Sequence, residues 1–159
     1  MPPSHATVRA ALAPLADAEL DHWTRAADSY VLFEDEGGLP GCTTWVLAPV
    51  GASTPVGVRL VEADGDLVLT SQRAEAIGVL LERHPPPDEA MAQVFFRLWA
   101  EPTRAVEAVA GTARMSRDGD TTLLTLDLED RWRGRLRWSA RTSPRGTTVA
   151  TEPLPGGPA

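Results

Sequence analysis

Residues 121–141 read TTLLTLDLEDRWRGRLRWSAR, and their alternation decides the fold class. Side chains alternate across a strand. Leu124, Leu126 and Leu128 therefore share one face, and Leu123, Thr125, Asp127 and Glu129 share the other. Past the turn, Gly134, Leu136 and Trp138 oppose Arg133, Arg135 and Arg137. The face that must be buried sets the register. Leucine meets leucine and tryptophan only if paired residue numbers have an even sum, which gives Leu128–Gly134, Leu126–Leu136 and Leu124–Trp138. The same register sets Glu129 opposite Arg133 and Asp127 opposite Arg135. The expected object is an antiparallel pair with one apolar face and one face of acid–arginine pairs, each contributing ~0.2–1 kcal/mol.

Upstream, Asp118-Gly119 reads as a two-residue turn between strands at about 112–117 and 120–129. It pairs Met115 with Thr122 and Ala113 with Leu124, again on the apolar face. Asp64-Gly65 carries the same signal between strands at 56–63 and 66–70, and YVLFEDE (30–36) and TTWVLA (43–48) bring the total to about seven. The two turns share an Asp-Gly-Asp string, which common turn chemistry explains more simply than a duplication of the halves.

Helical spacing appears in three places. Leu12, Leu15, Leu20, Trp23 and Ala27 predict a helix from about Val8, kinked or divided at Pro14, after a loose stretch at 1–6. Ser71 opens a second helix that HPPPD (84–88) stops near Arg83. Asp88 is placed to cap a third, in which Met91, Val94, Phe95, Leu98 and Trp99 form an apolar stripe. Pro102 then begins a short helix ending near Gly111. The reading is α+β: antiparallel sheet sections with a central helical segment covering one face. Residues 7–150 are expected to form one domain, and TEPLPGGPA (151–159) a flexible tail.

Composition narrows function by exclusion. The chain has 159 residues, a net charge of −7 and 43% apolar residues, so a real core is expected. All fifteen basic residues are arginine, which weakens any argument that Arg was selected over Lys at a given position. Residues 1–113 carry 7 Arg against 16 acids, and residues 114–146 carry 8 against 5. An acidic chain with one basic region argues against general nucleic-acid binding. One cysteine, Cys42, excludes an internal disulfide. No run suits a membrane span and the N-terminus has no secretion pattern, so a cytoplasmic protein with no membrane contact is expected.

His5, His22 and His84 lack metal-ligand spacing, Glu34, Asp35 and Glu36 lack the calcium-loop pattern, and no phosphate loop or nucleophile motif occurs. Neither a metal nor a cofactor is therefore expected. Cys42 reads as a packed thiol. Trp23, Trp45, Trp99 and Trp138 sit on predicted apolar faces; Trp132, in the last turn, is the exception and marks an interaction surface if exposed.

Two functional classes remain. The first is a binding or interaction module using Arg131, Trp132, Arg133, Arg135, Arg137 and Arg141 against an acidic protein partner or a second copy of the chain. Its bland counterpart is a solvated strand face, with Arg131, Arg137, Arg141 and Arg145 lacking acid partners. The second is a ligand-binding or enzymatic cup between sheet and helix, built from His22, Glu34, Asp35, His84, Phe95 and Trp99. Nucleic-acid binding ranks third, because base stacking needs aromatics on the arginine face.

Overall fold

The structure, a computed structural model, describes residues 2–15, 30–35, 38–49, 57–100 and 106–155. Among the described residues the strands pair into two antiparallel sheets of four and five strands, nine where about seven were expected. The first sheet is a meander of β1 (Tyr30–Asp35), β2 (Thr43–Pro49), β3 (Val58–Ala63) and β4 (Asp66–Leu69) in chain order. Asp64 and Gly65 turn the last pair, both at positive φ (53° and 83°), the backbone that lets a two-residue hairpin follow the strand twist.

The second sheet contains β5 (Val106–Ala108), β6 (Arg114–Asp118), β7 (Thr121–Asp130), β8 (Gly134–Ser143) and β9 (Gly146–Pro153). Its order is β5–β7–β8–β9, with β6 also on β7. The even-sum rule holds, but the register slides by two: Leu128 faces Leu136, Leu126 faces Trp138 and Leu124 faces Ala140. The expected strand ends left residues 130–132 to reverse the chain. Residues Arg131–Arg133 do it instead, because Asp130 joins the ladder opposite Gly134, which has φ 77°. Asp118 likewise joins the ladder opposite Thr121, so Gly119 at φ 58° becomes the first turn residue and Met115 faces Leu124.

Two strands were not foreseen. The expected short helix after Pro102 is replaced at 106–108 by β5; residues 101–105 lie outside the described set. β7 is ten residues long and β6 pairs only with its first half. β5 pairs with 128–130, and Val109 N–H and Thr112 Oγ1 meet Asp127, so the exposed ladder groups gain partners. β9 runs through Pro153, three residues into the stretch read as a tail, because Thr147, Val149 and Thr151 alternate as a strand face requires.

Three helices occur among the described residues: α1 (His5–Ala11), α2 (Ala74–Arg83) and α3 (Met91–Trp99). None is long and apolar enough to cross a membrane. α1 begins inside the stretch expected to be loose, since Ser4 Oγ accepts the Thr7 N–H. It stops before Pro14, and the rest of the expected helix lies outside the described residues. Ser71 does not cap α2; its hydroxyl accepts the Arg59 N–H at 2.7 Å. Asp88 serves α3 through its carbonyl, which accepts from Met91 N–H, with no side-chain cap bond.

Val8 and Leu12 of α1 pack on Trp45, Leu47, Leu60 and Leu69, one face of the first sheet. A larger cluster joins Val61 and Ala63 of the same sheet, α2, α3, and Leu124, Leu126, Leu128, Leu136 and Trp138 of the second. α3 touches both β3 and β7. That double contact buries Ala92 and Phe96 as well as Phe95 and Leu98, a wider stripe than the sequence pattern implied.

Candidate functional site

The arginine row lies on the outward face of the second sheet, and its central members are paired. Arg135 Nη2 donates to Glu129 Oε1 at 3.3 Å, and Arg137 Nε to Asp127 Oδ1 at 3.0 Å. Arg133 donates through Nε and Nη2 to Asp130 Oδ2. Asp130 Oδ1 also accepts the backbone N–H of Trp132 and of Arg133, and these bonds hold its carboxyl below the usual carboxylate range. Trp132 is thus projected from a fastened turn with 76% of its surface exposed, and the Arg131 guanidinium lies 5.8 Å from its ring centre. Arg141 is exposed on the same face, opposite Leu123 and Thr148.

Of the described residues anticipated for a pocket, Trp99 and Asp35 meet at one cleft and the others lie elsewhere. His22 lies outside the described residues, Glu34 is exposed and Phe95 is fully buried. His84 sits at the end of α2, its Nε2 3.4 Å from Asp64 Oδ2 and 3.7 Å from Cys42 Sγ. Both neighbours share one ring nitrogen, so this is no relay in which a carboxylate orients the far nitrogen of a base. Burial, and secondarily the Asp64 charge, push the Cys42 thiol up, away from thiolate reactivity. Among the described residues no group of three His, Cys, Asp or Glu is arranged to hold a metal ion.

A cavity of about 560 Å³ opens where α3 ends, between β5 and the β7–β8 turn. Trp99 lines it, as do Phe96, Val106 and Leu128, with Trp138 packed edge-on behind Phe96 at 5.6 Å. Of its polar wall, Arg59, Arg97 and Gln72 were not anticipated, whereas Arg133 and the partner carboxylate Asp35 were among the expected candidates. Arg59 Nη1 donates to the carbonyls of Arg97 and Ala100, binding β3 to the C-terminus of α3. Asp35 accepts from Arg59 Nε at 3.4 Å and takes Arg97 Nη2 on both oxygens at 3.2 Å. Burial lowers the Arg59 pKa, with the neighbouring Asp35 charge opposing that effect. The sequence signal is Arg59 sharing a strand face with the buried Val61 and Ala63; an inward arginine on such a face needs a carboxylate partner. Gln72, at φ 58°, completes the rim, its N–H bound to Trp99 O at 2.7 Å.

Charge in the cleft is asymmetric. The Arg97 side chain is 42% exposed and its partner Asp35 23%; Arg133 is 62% exposed and Asp130 6%. In both pairs the arginine lines the cleft and is the more exposed partner, and its carboxylate is not part of the lining. Glu107, exposed on β5, contributes a carboxylate to the wall. No known family matches the chain, and neither the curated proteins nor the solved structures show a match to it.

Proposed function

We propose that the protein is a binding module whose ligand is an anion carried on an apolar body, held in the cleft between α3, β5 and the β7–β8 turn. The observation that carries this reading is that Arg97 and Arg133 line the cleft, each more exposed than the carboxylate it pairs with, beside the apolar surface of Phe96, Trp99, Val106 and Leu128. A charge-assisted hydrogen bond contributes about 1.5–3 kcal/mol, and buried apolar surface adds ~25 cal/mol per Å². The cavity volume lies in the range of ligand sites, about 300–1,000 Å³. Calorimetric titration with octanoate and octanol separates the two contributions. Octanoate is expected to bind about tenfold or more tightly than octanol, and R133Q to remove that preference. Equal affinity for acid and alcohol would overturn the reading.

The alternative use of the arginine row, as a grip for an acidic protein, is weakened by the pairing of Arg133, Arg135 and Arg137 with carboxylates. The same pairing weakens a role in holding nucleic-acid phosphates. What still favours a protein contact at that end of the sheet is the exposed Trp132.

A further inference from the structure

The β7–β8 hairpin carries a knob at one end and a socket at the other. The knob is Trp132, fixed by Asp130 and flanked by Arg131 and Arg133. An exposed indole carried on a fastened turn has few torsions left to fix on docking, which suits it to be the anchor of an interface. The socket lies where β7 begins and β8 ends, a hollow of about 550 Å³ walled by the exposed Pro85 and Pro144, with Pro86 buried. Glu82 and Asp120 line it, and both are exposed. Arg117, also in its wall, donates Nη2 to Pro86 O. Ten residues of β7 separate the two ends, roughly 30 Å at ~3.4 Å per residue.

We infer that the protein associates head to tail, with Trp132 of one copy seated on the exposed Pro85 and Pro144 of the next. Proline rings and aromatic faces pack well, as in the docking of proline-rich segments in aromatic grooves. Arg131 arrives at Glu82 and Asp120, so charge complements shape. Because knob and socket are different surfaces, the contact is heterologous and leads to an open chain or a ring rather than a two-fold dimer.

Sedimentation velocity of the full chain, from micromolar to millimolar concentration at low ionic strength, reads the association directly. The wild type is expected to sediment faster as concentration rises. W132A, which keeps the socket, and E82R/D120R, which keeps the knob, are each expected to bind themselves about tenfold or more weakly. Mixed together, these two variants still hold one intact knob and one partner with an intact socket, and are expected to form a one-to-one complex. Unchanged circular dichroism spectra check that both variants fold. A wild type that stays monomeric throughout, an association indifferent to W132A, or a mixture that fails to pair would each overturn the inference.

Discussion

Asp130 and Arg133 close the β7–β8 turn on each other: Arg133 Nε and Nη2 donate to Asp130 Oδ2 at 3.0 and 2.9 Å. Asp130 Oδ1 accepts the N–H of Trp132 at 2.8 Å and of Arg133 at 2.9 Å. The backbone bonds come first among the causes that lower the Asp130 pKa. A carboxylate whose folded pKa is depressed adds stability above its ordinary value, near 4, and loses it as pH falls through the lower folded value. The gap in melting temperature between wild type and D130N should therefore be full at neutral pH and shrink in acid. D130A, which removes all four acceptor contacts, should cost about 2 kcal/mol in denaturant unfolding. A gap that widens in acid would contradict this account.

Gly78 of α2 lies directly against Thr147 of β9, with no room for a Cβ before it meets the threonine hydroxyl. Alanine is the better helix former by ~1 kcal/mol, yet G78A should destabilise by about 1–3 kcal/mol because a packed interface must part. T147A removes the hydroxyl and methyl, the first of them the nearest obstructing atom, but keeps a Cβ that still crowds the site, and it also removes a 2.9 Å bond between the Thr142 and Thr147 hydroxyls. The double variant G78A/T147A should be more stable than the sum of the two single effects implies. Simple additivity in a thermal-melt cycle would show that α2 does not press on β9 there.

What could be read from the residues follows from which rule governed them. Leucine alternation in 121–128 gave the correct parity of the β7–β8 ladder, since a slip by one residue exposes a whole face. A slip by two leaves the faces intact, so only the turn decides it, and Asp130 as a turn cap was not weighed. Asp64-Gly65 was legible because its turn type needs those residues. β5 was not: VEA is too short to show a period, and pairing to an open stretch of β7 forms it. The arginines of the cleft wall escaped for a related reason. Arg59 and Arg97 are far from Asp35 in sequence, and only tertiary contacts, among them those of α3 with β3, bring them together.

Arg135–Glu129 and Arg137–Asp127 are paired across the same ladder but differ in shielding, Asp127 being the more covered carboxylate. R135A should cost under about 1 kcal/mol, an effect that fades at high salt. R137A should cost more and fade less, because it leaves a partly buried carboxylate without its cation. Urea unfolding at low and high salt reads both. Equal, fully salt-sensitive losses would mean that neither pair is shielded from solvent.

The Cys42 thiol is raised chiefly by burial and secondarily by Asp64, so it should alkylate with iodoacetamide more slowly at neutral pH than a cysteine in an unfolded peptide. D64N isolates the smaller cause. Asn tolerates the left-handed φ of 53° at this position and Asn-Gly forms the same turn, so the hairpin should survive. Removing the charge lowers the thiol pKa, and the alkylation rate at fixed neutral pH should rise. It should still remain below the peptide rate, because the burial that contributes most is untouched. D64N also takes away the carboxylate 3.4 Å from His84 Nε2, leaving the ring nitrogen to Cys42 alone. If instead D64N slows alkylation, the carboxylate acts through His84 as an activator of the thiol, and Cys42, His84 and Asp64 would have to be reconsidered as a reactive group.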